Sequence, residues 1–543
     1  MRRGVDILTV SLVTGTALAA LDTASLANSY FGNGAAWYSY KIPYFEASDS
    51  QIQDVYYYRW MIFRAHQRDP GQRGYVSTEF LDGVSWQLEP WATLNDATGF
   101  HLGEGRWLRD RRCADDYIRH MCDGGNDRHF TDWMADSVWE RYLVDGDKDA
   151  ITTHLDAMTA LFQQWNDALD TPKGLYWREP LADAAEYSIS SIDASGGQGG
   201  FGGGEAFRPT INSYMLTSGT PLSNTLSRHL KDINKLRGAS GMRTVEPSYE
   251  YYMRQYRYEG SNRECQWIGP VWPYQPTQVL YAMPHLLNTY NQSLITKSDY
   301  LDELRRYTRL HYWDNKLNLE EDYEPDKAGP IVGLARSPHC FHSGYNDLII
   351  SGLVGLRPRA DNTLKVNPLI PEGSLPYFRL QDIPYHGHNI AIQWDANGRK
   401  DGQGTGLRVE VDNQVVATSR FPLEQSHSTD SQRSTACHQQ KPNSPNPSNS
   451  CEAKILPDRR RAEMTRNLST IRSFDPVGYD RLRVGYAADR PWDKIQGNGA
   501  VGDKALANGI TKVSWPELST SQLRASFPQA ASKRTRFVEF KAF

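Results

Sequence analysis

Apolar residues recur at helical spacing through most of the chain up to about residue 356. After Ser48-Asp49-Ser50-Gln51, which has the form of a capping box, Ile52, Tyr56, Trp60 and Phe63 fall on one helical face. A helix is predicted from Asp132 to Val144, and Asp145-Gly146-Asp147 turns the chain. Leu155, Met158, Phe162 and Trp165 then stripe a second helix, so the pair reads as a helical hairpin. Leu280, His285 and Leu286, followed by Leu301, Leu304 and Leu310, continue the pattern. Serial hairpins joined by long, aromatic-rich connections predict a mainly α fold, an α/α toroid or a helical bundle. No internal sequence repeat accompanies them.

The period then changes from 3.6 to 2. Leu364-Lys365-Val366, Asn389-Ile390-Ala391-Ile392 and Leu407-Arg408-Val409-Glu410-Val411 alternate as strands do, with Asp412-Asn413 as a hairpin turn. Residues 357–420 are therefore expected to form a β-rich unit packed on the helices. Residues 421–457 read as a polar, Pro-containing linker or insert. Val513-Ser514-Trp515, Gln522-Leu523-Arg524-Ala525 and Phe537-Val538-Glu539-Phe540 predict a small β-sandwich over 458–543. The run 196–204 (GGQGGFGGG) reads as a flexible loop, without the strand-then-helix setting of a phosphate-binding motif.

Composition narrows the partners. Sixty Lys and Arg against 64 Asp and Glu leave a net charge of -4, which argues against nucleic acid. No stretch is long and apolar enough to span a bilayer. Thirty Tyr and 15 Trp against 17 Phe favour rings with a polar edge, which suit a flat, polar ligand such as a sugar. The basic start Met1-Arg2-Arg3, the apolar run from Ile7 to Leu21 and the small residues ending at Ala27 have the order of a secretory signal peptide over 1–27. Asp6 fits that order poorly. An extracellular location would agree with the sequons at Asn291 and Asn467. It would also permit disulfides among the six cysteines, with Cys437–Cys451 and Cys113–Cys122 the pairs closest in sequence.

Candidate chemistry concentrates in five segments. Asp183-Ala184-Ala185-Glu186-Tyr187-Ser188 follows Tyr176-Trp177 and offers a carboxylate pair beside aromatics, the setting of a raised-pKa general acid. An ordinary acidic helix start is the plain alternative. Arg263 to Tyr274 carries two tryptophans around a Gly-Pro bend. Glu320, Glu321, Asp322 and Glu324 form an acidic run that a solvated loop would also explain. His101 to Asp110 and Arg208 to Tyr214 collect side-chain types common in sugar sites. Each could equally be packing or structural ion pairing.

Two of these segments carry a resemblance. Trp267-Ile268-Gly269-Pro270-Val271-Trp272-Pro273 is similar to the Trp-x-Gly-Pro-x-Trp-Pro motif of the mannosylglycerate hydrolase-like and trehalase-like six-hairpin glycosidases. Glu321-Asp322-Tyr323-Glu324-Pro325 with Gly329 resembles their Glu-x-Tyr-x-Pro-x-x-Gly motif, with the glycine one residue late. The resemblance covers roughly residues 38–400. It implies an (α/α)6 toroid over 38–356, followed by the C-terminal β-sandwich elements, and an inverting glycoside hydrolase. Glu321 would be the general base and Glu186 the general acid, where the family carries an aspartate, with Asp183 the fallback. Glu104, Arg106, Trp107, Asp183, Arg208, Asn212, Trp267, Trp272 and His342 would form the sugar-binding wall. The stretch from Tyr214 to Trp267 is short for toroid helices, so the ring is expected to be abbreviated.

The implied partner is a carbohydrate substrate. No cofactor is expected, and no metal: Cys265 and Cys340 are too few for a thiolate-rich zinc centre. A polysaccharide lyase on the same toroid and a non-catalytic carbohydrate-binding protein are the alternatives. For the latter, Trp515 to Phe540 resembles the closing strands of galactose-binding-like jelly rolls.

Overall fold

The computed structural model describes residues 20–84, 93–215, 224–264, 266–290, 292–331, 333–400, 402 and 404–419, and the backbone of seven strands between 451 and 541. Most of the signal-like segment, Cys265, Cys437, both sequon asparagines and the predicted strand 513–515 lie outside those residues. The chain divides into two compact units, Met1–Leu456 and Pro457–Phe543.

In the first unit the helices are α1 (Thr23–Phe31), α2 (Ser50–Ala65), α3 (Thr98–Gly105), α4 (Arg112–His120), α5 (Met134–Asp145), α6 (Leu155–Gln164), α7 (Ile189–Ala194), α8 (Pro209–Met215), α9 (Asn224–Lys231), α10 (Tyr274–Thr289) and α11 (Lys297–Leu310), besides shorter turns. A π-helical turn follows at Leu348–Leu353. Among the described residues no helix is long and apolar enough to cross a membrane.

Helix α2 forms where the periodicity places it. Its start differs by one residue: the Asp49 side chain accepts the Ile52 N–H, while Ser48 turns away to the carbonyl of Tyr377. Helix α5 ends at Gly146, whose left-handed backbone (φ 70°) closes the last turn on the Tyr142 carbonyl. The hairpin partner is a correction. A short helix, Lys148–Thr152, intervenes, and Leu155 and Phe162 of α6 are exposed rather than buried. Of that predicted stripe only Trp165, in the following 3-10 turn, is buried. Between α8 and Trp267, α9 is the one helix among the described residues, in keeping with a shortened helical region.

A five-stranded antiparallel sheet, in the order β1-β3-β4-β5-β6, packs against these helices: β1 (Tyr44–Ala47), β3 (Tyr377–Tyr385), β4 (His388–Asp395), β5 (Gly406–Val411) and β6 (Gln414–Ser419). Strand β2 (Thr363–Val366) lies in a second, smaller sheet and pairs with β7 (Cys451–Lys454). Asp412 and Asn413 both take positive φ (50° and 64°), the backbone a two-residue hairpin needs. Three boundaries therefore shift. Residues 44–47, read as helical region, supply a sheet strand whose Tyr44 is registered with Gln381. Residues 451–454, read as insert, supply another. Residues 21–37 lie outside the predicted domain, yet Ala27, Phe31 and Ala35 are buried in the same core as α2, α10, α11 and the sheet. The signal-like cut after Ala27 falls inside α1.

The Cys113–Cys122 pairing is not formed. Both thiols are free, and α4 turns Cys113 into the interior. The glycine run 196–204 is also packed: a side chain at Gly200 (φ 141°) would lie 2.6 Å from Ile192. The second unit contributes six strands in two three-stranded antiparallel sheets, in which Thr470–Phe474 and Arg483–Ala487 are the central strands.

Candidate active site

The two motif segments lie side by side. Val271 and Tyr323 exchange both main-chain hydrogen bonds (2.9 Å each), so the tryptophan motif and the acidic motif form one short ladder. Two glycines make this possible. Gly329 (φ 95°) closes the turn after Tyr323, where a Cβ would lie 2.5 Å from the Trp313 ring. Gly269 (φ 133°) would place one 2.7 Å from Tyr252. Glu321 is thereby fixed two residues before the ladder, its N–H donating to Ser337 Oγ at 3.2 Å. The Trp267 and Trp272 rings stack at 4.3 Å, and Trp272 meets the His342 ring edge-on at 5.6 Å. Trp272 Nε1–H is satisfied by the Gln266 carbonyl, leaving the ring faces to form an aromatic wall with Tyr274.

Glu186 reaches the same region from the loop before α7. Ala184 and Tyr187, on either side of it, both take left-handed backbone (φ 50° and 54°), which is unfavourable for residues with a Cβ and is held here by the bond from Tyr187 N–H to the Gly200 carbonyl. Glu186 is half-buried, and burial pushes its carboxyl above the ordinary range.

Glu79 and Asp96 complete the group. Burial raises Glu79 well above the usual carboxylate range, and the charges of Asp96, Glu321 and Glu186 raise it further. Asp96 is pushed up to about 7, by burial first and with Glu186 and Asp132 adding to it. Cys340 and His342 border these acids. The thiol is raised by burial and then by Glu79, Glu321 and Asp96, while burial with Arg59 and His101 lowers the imidazole to about 3. Four carboxylates thus share one poorly solvated region beside the aromatic wall.

Several predicted wall residues are used elsewhere. Asp183 accepts from Thr131, Thr210 and Arg208 (Nε at 2.7 Å), so it is spent in a structural ion pair and is not a free acid; Arg208 is its partner. Asn212 bridges the Tyr176 main chain on both sides, at 2.9 and 2.7 Å. Arg106 and Trp107 both donate to Asp347 Oδ1, and Arg106 also pairs with Glu140. Glu104 accepts the N–H groups of Tyr345, Asn346 and Asp347 at 2.6, 3.0 and 3.3 Å. The 101–110 segment is a buried scaffold, not a sugar wall. Of the predicted wall, Trp267, Trp272 and His342 stand together, with His342 against Cys340.

Glu104 gives a stability prediction. Burial raises its carboxyl to about 7 against the opposing effect of Arg59, with Asp347 adding to the rise. A raised folded value means that the folded state binds more protons than the unfolded chain as pH passes from the ordinary value to the raised one. Stability is therefore fully present at low pH and is lost as pH rises through about 7. The contribution is about 3 kcal/mol, and Glu104→Gln should remove that share of the slope between pH 5 and 8. At pH 5 the variant should also be weaker by about 1–3 kcal/mol, because one amide N–H then faces a main-chain N–H. Urea unfolding at both pH values measures both effects; an unchanged slope would contradict the assignment.

Glu79 and Asp96 have no signal in the sequence, since each is a lone acid outside any motif or period. Cys340 is visible in the sequence as a cysteine close to the motif segments, but its contact with Glu79 is not.

Comparison with known proteins finds a likeness to glycoside hydrolases over part of the chain. Over residues 89–225 and 220–343 it matches the mannosylglycerate hydrolase MGH1-like glycoside hydrolase domain. That region contains Asp96, Glu186, Glu321, Cys340 and His342 and begins after Glu79. A solved structure named as a sialidase is similar, with 27% identity and a TM-score of 0.66 over 74% of this chain. The chain spans 44% of the length of that solved chain.

Proposed function

We propose that the first unit is an inverting glycoside hydrolase on an abbreviated (α/α)6 toroid, with Glu186 as general acid and Glu321 as general base. The observation that carries this reading is convergence: both glutamates act on the same buried Glu79, beside the stacked Trp267–Trp272 wall. The wall offers faces on which a sugar ring can stack. Burial keeps the Glu186 proton in place at a pH where an ordinary carboxyl would lose it, as a donor to a glycosidic oxygen requires. Glu321, held by the ladder, would take a proton from the attacking water. Inversion needs about 6.5–9.5 Å between the two carboxyl groups to admit that water.

The test is a screen of aryl glycosides and plant-wall oligosaccharides, with the first-formed anomer read by proton NMR. Inverted product is expected. A retained anomer, an unsaturated ultraviolet-absorbing product, or binding without cleavage would each overturn the reading. Hydrolysis should fall as pH rises through the raised Glu186 value, and this alkaline limb should be absent in Glu186→Gln. That variant should lose about 10²–10⁴-fold on sugar leaving groups and much less on activated aryl ones, which need no proton. Equal losses on both would remove Glu186 from the acid role.

A further inference from the structure

Glu79, Cys340 and His342 meet in a way that the two-carboxylate reaction does not require. One donor atom from each lies within 4.8 Å of the other two. Cys340 Sγ is 2.9 Å from His342 Nδ1 and 3.7 Å from Glu79 Oε1. All three side chains are more than nine-tenths buried, at 7%, 0% and 2% exposure. Glu79 Oε2 and His342 Nε2 are nevertheless left without a hydrogen-bond partner among the described residues. A buried polar atom with no partner is costly, and two in one cluster call for an explanation.

The backbone holds the three groups in place. Phe341 N–H donates to the Glu79 carbonyl at 2.7 Å, joining the two segments directly. The Phe341 carbonyl accepts from His101 at 2.6 Å, and that of His339 accepts from His66 at 2.8 Å. The intervening Phe341 ring packs among Phe63, His66 and His101, leaving Cys340 and His342 together beside Glu79. The nearby charges are the acids Asp96 and Glu321 on the Glu79 side and Arg59, bonded to Ser343, on the His342 side.

We propose that Glu79, Cys340 and His342 form a binding site for a divalent transition-metal ion of the zinc class. One thiolate, one imidazole nitrogen and one carboxylate oxygen make a mixed donor set suited to zinc, and three protein ligands leave a fourth position open. The thiolate and carboxylate charges together balance a dication. The ion displaces the thiol proton and any proton held by Glu79, and these pass to the buffer as the metal–sulfur and metal–oxygen bonds form. Cys265 and Cys340 are too few for a thiolate-rich zinc centre, but this set needs a single thiolate. Glu79 lies before the region matched by the glycoside hydrolase family, so the site joins a residue outside that match to two within it. The proposal does not depend on the hydrolase reading.

The test uses the full chain, stripped with a chelator and titrated with Zn²⁺ and Co²⁺. One ion per chain is expected by elemental analysis, together with a thiolate-to-cobalt charge-transfer band and a rise in melting temperature. Cys340→Ser should abolish the band. His342→Ala and Glu79→Gln should each weaken Zn²⁺ binding by more than ~100-fold, beyond what loss of an outer-shell partner costs. Cys113→Ser, which removes a buried free thiol remote from the cluster in sequence, should change neither measurement. Folding of each variant is checked by circular dichroism against chelated wild type. A folded wild type that takes up no ion, or a band that survives Cys340→Ser, would overturn the site and point to a metal-free hydrogen-bonded cluster. All of these readouts are independent of hydrolysis, so an inactive protein that still binds zinc would count against the proposed reaction and not against the site.

Discussion

Glu321→Gln is expected to lower kcat/KM by about 10²–10⁴-fold, the range associated with losing one acid–base group, while leaving the fold intact. The substitution keeps volume and shape, and the Glu321 main chain stays fixed by Ser337 and by the Val271–Tyr323 ladder. What is lost is the ability to accept a proton from water. Azide, which needs no such help, should restore turnover and yield a glycosyl azide of inverted configuration. Full activity in the variant would remove Glu321 from the base role. Lost activity without azide rescue, accompanied by a lowered melting temperature, would make it a structural residue.

The largest effect on stability is expected at Asp347. Its Oδ1 accepts from Arg106 Nη2 at 2.8 Å, Trp107 Nε1 at 2.6 Å and Ser351 Oγ at 2.8 Å, with almost no exposure. Asp347→Ala leaves the buried Arg106 cation paired with Glu140 alone and strands the indole N–H. Breaking one side of such a pair costs about 3–5 kcal/mol. Urea unfolding should therefore show a lower midpoint at unchanged slope. The double variant Arg106→Met with Asp347→Leu should be less destabilised than the sum of the singles, because the uncompensated charge is gone. A loss below about 1 kcal/mol for Asp347→Ala would mean that water solvates Arg106, contrary to its burial.

These two positions show what a sequence can and cannot disclose. The motif around Glu321 is legible because its glycines have narrow backbone requirements: Gly269 and Gly329 stand where a Cβ would collide, so the surrounding pattern is visible in one dimension. Arg106, Trp107 and Glu104 were misread for the opposite reason. A guanidinium, an indole and a carboxylate look alike whether they face a sugar or a buried Asp347, and the residue that decides between them is about 240 positions away. Asp183 illustrates the same ambiguity, settled by Thr131 and Arg208. Glu79 and Asp96 are single acids that acquire meaning only when folding brings them beside Glu186 and Glu321. Helix α2 and strands β4 and β5 were readable from their periods. Strand β1 was not, since four residues are too few to establish one, and β3 is interrupted at Asp382 by a left-handed residue and a register shift.

The pairing of Tyr44 with Gln381 also sets a schedule for biosynthesis. A ribosome adding roughly 5–20 residues per second needs tens of seconds to make the intervening chain. Throughout that interval α1, α2 and β1 exist without the strand that covers Phe45, so their aromatic faces are open to chaperones and to other nascent chains. Truncations that stop before β3 should consequently aggregate during translation even though every residue preceding the cut is unchanged.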